Sequence, residues 1–292
     1  MVFMVPYAAM CKVSILGSGE LGSTLAQKLA GSDWPGAVWL LDTDAGAAKG
    51  RALDLLESNS VVRSGTRLHG SGQTAEIEGS NYVVVAETEA LSDFEASSIL
   101  SSVENAARDA VILVALSEPA SLLRVISKLD RIDPRRVLGT APEALASLWR
   151  LHIARKFGCS PRDVQVTILG FPCRNGLHEV FASIAGQAIE HLLSPTDLRD
   201  VAAMASRRPR PGPRALASAA AAILQDMILK NGAVRSCFAW ANGAYRAGDL
   251  FLCAPVVLNP HGVEKILELR LEPRQEVTLS RSLDHLARAL HS

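Results

Sequence analysis

The sequence predicts an α/β protein: a parallel sheet with crossover helices in its first half, followed by an α+β half. Three observations carry this. From Lys12 to about Thr140, short apolar runs alternate with helical patterns, as strands joined by crossover helices require. Between the first two runs, Leu21, Leu25 and Leu29 recur every four residues and place one apolar stripe on one helix. After Thr140 the pattern changes to returning pairs of strands separated by helices. The expected division is a first domain over residues 1–140 and a second over residues 141–292.

Taken in order, the first-half strands are expected at residues 13–16, 38–41, 82–86, 111–116 and 137–138. A helix over residues 143–157 is stopped by Gly158, whose missing Cβ suits a left-handed cap. "DVQVTILGFPCRNGLHEVF" then reads as a strand, a polar corner at residues 171–176, and a returning strand. Ser194-Pro195 has the form of an N-cap with proline in the first helical position. "SRRPRPGPR" (Arg207, Arg208, Arg210 and Arg214) reads as an exposed or interface loop before an alanine-rich helix over residues 215–230. Two strands around an Asn-Pro-His-Gly turn, and a helix with Leu279, Leu283, Leu286 and Leu290 on one face, close the chain.

Composition narrows the function. The 292 residues are 48% hydrophobic, enough for two ordinary cores. Thirty basic residues balance thirty acidic ones, so no global field draws the chain to nucleic acid or to an anionic membrane. Cys11, Cys159, Cys173, Cys237 and Cys253 are odd in number and have no metal-like spacing, which suits a reducing compartment. The opening "MVFMVPYAAM" lacks a basic flank and is read as a leader without ordered structure; with no long apolar run elsewhere, a soluble cytoplasmic protein is expected.

"KVSILGSGELGSTLAQKLA" places Gly17, Gly19 and Gly22 in a G-x-G-x-x-G pattern directly after a strand and at the mouth of a helix. "VWLLD" follows and ends in Asp42, twenty residues past Gly22. Strand, glycine turn, helix, strand and acid thus fall where a Rossmann domain binds a dinucleotide. Residues Gly17, Ser18, Gly19, Glu20, Leu21 and Gly22 would bring backbone N–H groups to a pyrophosphate. Asp42 would accept from the ribose hydroxyls of NAD and repel the 2′-phosphate of NADP.

With these blocks, and with "LLDTDAGAAKGRALDLLES" and "APVVLNPHGVEKILEL", the chain resembles the lactate/malate dehydrogenases, most closely the malate dehydrogenases that are similar to lactate dehydrogenase. The resemblance runs from Lys12 to near the end. It implies a Rossmann domain, an α+β lactate/malate dehydrogenase-type second domain, a two-fold homodimer, and hydride transfer between nicotinamide and a 2-hydroxy or 2-keto acid. In such enzymes a histidine carries the proton, an aspartate orients it, one arginine clamps the substrate carboxylate and another polarises the carbonyl.

Laid on this chain without a gap, the family pattern puts Leu145 at the aspartate, Leu148 at the clamp arginine and Pro172 at the histidine. "ETEALSDFEASSILSSVENAA", the closing-loop region, has five acids and no cation, and it sets Glu87 and Glu89 near the pyrophosphate. The family's paired asparagines become Ser117-Glu118. The leading expectation is therefore a catalytically inactive relative with no catalytic residues and no metal, keeping weak NAD binding and serving as a homodimer or as partner subunit of a related dehydrogenase. The alternative is an active NAD-dependent oxidoreductase with a remodelled site using His178 or Tyr82; a third reading is an interaction protein with an empty cleft. His152 and Arg150 are expected to be structural, Arg174 a solvated turn residue or an anion ligand, and Cys173 inert.

Overall fold

Short β-branched runs open the chain as strands because they are buried on both faces of a parallel sheet. The computed structural model describes residues 11–32, 34–86, 93–116, 132–171, 177–207 and 211–291. Strand β1 (Lys12–Leu16) lies between β2 (Ala37–Leu41) and β4 (Tyr82–Val85), all parallel, with Val13 opposite both Val38 and Tyr82. Every residue of β4 and of β5 (Val111–Val114) is buried, and β6 (Val137–Gly139) completes the parallel run.

Helix α1 (Glu20–Gly31) buries Leu21, Leu25 and Leu29, the predicted stripe. Helix α2 (Ala45–Val62) starts on the Asp44 side chain, which accepts from the Ala47 amide, and ends with Arg63 left-handed. After α2 the structure adds β3 (Arg67–Ser71), parallel to β2, which the sequence reading missed. Its "RLHGS" buries only Leu68 fully, so this edge strand carries no apolar run. Helix α3 is Asp93–Ala106.

The sheet continues into the second half by antiparallel pairing. Strand β7 (Val164–Phe171) returns as β8 (Leu177–Ile184), as expected, with Gly170 opposite His178, and β9 (Gln187–Ala188) follows. Strand β10 (Val234–Trp240), also unforeseen, pairs with β6 and with β11 (Phe251–Asn259); β11 pairs in turn with β7 and β12 (Gly262–Ile266). Among the described residues the order is β3-β2-β1-β4-β5-β6-β10-β11-β7-β8-β9, with β12 on β11.

Helix α4 (Ala141–Phe157) ends at left-handed Gly158, and α5 (Pro195–Ser206) starts on Ser194, whose hydroxyl accepts from the Asp197 amide. Helix α6 (Pro213–Ile228) begins earlier than expected because proline fits its first turn, so Arg214 stands on a helix, not in a loop. Arg208 and Arg210 lie outside the described residues. Helix α6 packs against α1 across the two halves, and Leu21, Leu25 and Leu29 share one core with Leu216, Ala220 and Leu224. The last helix, α7 (Pro273–His291), buries Leu279 and Leu286. Among the described residues no helix is long and apolar enough to cross a membrane, and no cluster of metal-binding side chains occurs.

Candidate functional site

The glycine turn has the shape its spacing predicts. Gly17 leaves β1 with φ of 101°, a left-handed conformation that L side chains rarely adopt, and its amide donates to Leu41 O at 2.8 Å. A Cβ on Gly22 would sit 1.8 Å from Gly17 O, so only glycine lets α1 lie this close to the turn. Gly19 differs: a Cβ there would meet nothing within 4 Å. That open space faces the start of α1, whose N-cap Gly19 supplies no side-chain hydrogen bond. Unpaired first-turn amides beside open space are what a pyrophosphate requires, so these residues fit the phosphate part of a dinucleotide.

The side chains of the two other loop residues are engaged elsewhere, which leaves their backbone amides to face a ligand. Leu21 is fully buried. Glu20, in the first turn, pairs with Arg214 at 3.1 Å, but the two side chains are 54% and 80% exposed, so the contact is weak.

Asp42 stands at the end of β2 but is drawn back onto the turn. Its Oδ2 accepts from the Ser18 amide at 2.8 Å and from the Ser18 hydroxyl at 2.6 Å; its Oδ1 accepts from the Asp44 amide at 3.1 Å and the Thr43 hydroxyl at 3.4 Å. Arg51 of α2 donates to Ser18 Oγ at 2.6 Å. Partial burial disfavours the Asp42 charge, but the Ser18 hydroxyl and amide, the Asp44 amide and nearby Arg51 outweigh it and hold the carboxyl below its usual value. The sequence placed Ser18 and Asp42 together as cofactor residues. Only the folded turn reveals that they bond to one another and recruit Arg51.

On the substrate side, α4 presents Leu145 and Leu148 three residues apart, on neighbouring positions of one face. Leu145 is half-buried and packs against a second apolar core that includes Ile153, Ile168 and Phe238, on which Trp149, Phe171 and Trp240 also pack. Phe171, the last residue of β7, also lies 5.8 Å from the Phe238 ring and 5.6 Å from the His285 ring. Pro172, Cys173 and Arg174 at the corner, and Glu87, Glu89, Ser117 and Glu118, lie outside the described residues.

The remaining candidates divide by their partners. Arg150 donates to Val164 O at 3.2 Å and stands 3.5 Å from Glu143, a structural placement. Tyr82 is fully buried and its hydroxyl donates to Pro260 O at 3.1 Å. His152 is half-buried on α4. His178 lies on β8 with Nδ1 buried and without a partner, and burial pushes its pKa down. Ser282 Oγ of α7 is buried and unpartnered as well, and it lies 3.1 Å from where a Gly170 Cβ would be. A groove of about 460 Å³ lined by Arg135, Trp240, Asn242, Lys265 and Glu268, among others, touches none of the predicted site residues.

A buried ionic cluster behind α4 was not foreseen. Glu143 pairs with Arg235 at 3.1 Å, Arg235 with Asp226 at 2.7 Å, and Asn231 donates to Asp226 at 3.0 Å. Glu143 and Arg235 are 92 residues apart in the chain, which hides their pairing from any local pattern.

Comparison with known proteins agrees with this geometry. Residues 11–90 match the family model described as lactate/malate dehydrogenase, NAD binding domain. A malate dehydrogenase of Synechocystis is 27% identical, the alignment covering 94% of this chain and 91% of the relative. Malate dehydrogenase 1 of Anaeromyxobacter dehalogenans is also 27% identical, over 96% of this chain and 97% of the relative. Among solved structures, malate dehydrogenase from Plasmodium falciparum in complex with NADH superposes with a TM-score of 0.89 at 18% identity, covering 96% of this chain and 97% of that one. Lactate dehydrogenase from Cryptosporidium parvum, complexed with lactic acid and the dinucleotide, gives 0.88 at 20% identity, covering 99% and 98%. With the glycine turn, the Asp42 strand and the sheet order all in place, residues 11–90 match the NAD binding domain of the lactate/malate dehydrogenases and the chain as a whole shares the fold of these enzymes.

Proposed function

We propose that this protein is a non-catalytic member of the lactate/malate dehydrogenase family that binds NAD weakly through the adenosine half and acts in a regulatory or structural role. NAD binding rests on the match to the family's NAD binding domain and on the open phosphate cradle at Gly19. When bound, the nicotinamide would supply hydride chemistry, but the substrate side offers no matching groups. One observation carries the inactive reading: Leu145, at the position of the proton-orienting acid, is half-buried and packs against an apolar core, as Trp149, Phe171 and Trp240 also do. A keto acid there would meet hydrocarbon in place of a guanidinium and an imidazole.

Weak affinity follows from Asp42. Four donors already engage its two oxygens, so ribose hydroxyls must displace one of them. A second reading, an active oxidoreductase with a remodelled site, is favoured by the full-length malate dehydrogenase relatives and by the unpartnered Nδ1 of His178. Titration of NADH by its fluorescence, with and without oxaloacetate or pyruvate, separates the two. Binding without oxidation of NADH supports the proposal; turnover that disappears in Asp42→Ala supports the second reading.

We also propose that the chain assembles as a two-fold dimer. On α2, Leu53 and Leu56 are 58% and 45% exposed one turn apart, an apolar pair that supports a contact between two copies. Sedimentation at micromolar concentration should give a dimer, and Leu53→Glu with Leu56→Glu a monomer.

A further inference from the structure

We propose that the apolar leader, residues 1–10, adds a strand to the free edge of β12 and fills the groove that lies along it. The groove touches none of the dinucleotide residues, so this docking stands apart from the reading above.

The edge comes first. Among the described residues β12 pairs with β11 alone, so the backbone groups of its other side have no strand partner. An open edge of this kind is a template for a further chain segment. The groove, of about 460 Å³, is lined by Val263, Glu264, Lys265 and Ile266 in succession and by no residue of β11. Successive side chains point to opposite faces of a strand, so a groove that meets four in a row runs along an edge, and since β11 takes no part it is the unpaired edge. Val263 and Ile266 are half-buried on the first apolar core, and Trp240, also in the lining, is half-buried on the second. Both cores therefore come to the surface here.

The leader starts within reach. Cys11 O accepts from the amides of Gly36 and Ala37 at 3.0 and 3.1 Å, which fixes the point where residues 1–10 join the fold, at the foot of β1. Next to it, Lys12 and Asn81 exchange hydrogen bonds at 2.9 Å, and the hydroxyl of neighbouring Tyr82 donates to Pro260 O in the turn that leads into β12. Gly262, at the head of β12, lies against the residues just before β6, since a Cβ there would stand 2.4 Å from Arg135 O. From β1 to β6 is three strand spacings, about 14 Å. Pro6 to Met10 span roughly 16 Å when extended. That leaves residues 2–5 to lie along β12.

The chemistry of "MVFMVPYAAM" fits the place. Val2, Phe3 and Val5 favour strands, and Pro6, with no N–H to donate, ends the ladder, so the segment marked for pairing is close to the length of β12. It carries no charged side chain. The charges of the groove come in opposite signs, Lys265 beside Glu264, and favour neither an acidic nor a basic peptide, whereas Val263, Ile266 and Trp240 offer apolar surface to a neutral one.

The test is hydrogen exchange, read by mass spectrometry, on the intact chain, on full-length Val5→Pro and on the full-length double variant Phe3→Asp with Val5→Asp. In the parent the amides of residues 263–266 are expected to exchange about tenfold or more slowly than in either variant, while those of β1 and β4 keep their rates. Val5→Pro removes one donor of the ladder without adding charge, so the two variants reach the same result by different means. Equal protection of β12 in parent and variants overturns the proposal, and so does a loss spread over β1 and β4. Dilution of the parent identifies the source of the strand. Protection that holds at every protein concentration is expected of a strand from the same chain; protection that falls on dilution marks a strand from a second copy and overturns docking within one chain.

Discussion

The Glu143 carboxylate of α4 lies 3.1 Å from the Arg235 guanidinium of β10, with only 6% of the Glu143 side chain exposed. Arg235 also binds Asp226 at 2.7 Å, so one cation serves two buried acids from α4 and α6. Arg235→Ala leaves Asp226 without a cation and Glu143 with Arg150 alone, at 3.5 Å, and should cost about 3 kcal/mol. Adding Asp226→Asn to that variant should restore part of the loss, because the stranded charge is removed. Urea unfolding of the two variants reads both effects, and equal midpoints would show that the ionic cluster is not a stabilising unit.

Gly19 and Gly22 separate binding from folding. Gly22→Ala puts a methyl group 1.8 Å from Gly17 O, so the turn must give way. The expected loss is about 3 kcal/mol or more, as for a severe overpacking change. Gly19→Ala meets nothing within 4 Å and should cost about 1 kcal/mol or less as a changed cap. Its methyl group nevertheless stands in the pyrophosphate's space, so NADH titration should fail while the melting temperature stays close to that of the parent.

Stability should fall in mild acid because of His178. Burial pushes its pKa down in the folded protein. Below an unfolded value of about 6.5 the unfolded chain takes up a proton that the folded chain refuses, so stability is full above that pH and declines as pH drops toward the folded value. His69 is shifted in the same direction, by burial first and then by Arg67 and Lys12. His178→Leu should therefore flatten the fall of the unfolding midpoint below about pH 6.5 without abolishing it.

Restoring the family residues should not restore chemistry. The triple change Leu145→Asp, Leu148→Arg, Pro172→His returns the acid, the clamp and the base, but it sets a carboxylate against the apolar core on which Leu145 packs half-buried. Desolvation of an unmatched carboxylate there costs several kcal/mol. The expected outcome is a destabilised protein with turnover of oxaloacetate at background. Steady-state rates well above an Asp42→Ala control would refute this.

The fold was largely legible because its strongest signals are local. Leu21, Leu25 and Leu29 stand on one helix face, Ser194-Pro195 caps α5, and Gly158 ends α4, each a matter of a few adjacent residues. Strand β3 was not legible, because an edge strand with a single buried leucine has no run to detect. Strand β10 escaped because its neighbours β6 and β11 decide its burial. At the site, the glycines and Asp42 were found by spacing. The Ser18 bonds that occupy Asp42, and the reach of Arg51 from α2, depend on side-chain direction, which spacing does not carry.

The packing of α1 against α6 also has a consequence for synthesis. The leucine face of α1 is complete by Gly31, whereas its cover ends at Ile228. Translation at roughly 5–20 residues per second needs on the order of ten to forty seconds to close that gap. Throughout that interval a growing chain on the ribosome carries a naked apolar helix beside a half-built sheet, which is the kind of surface that chaperones hold and that neighbouring nascent chains adhere to.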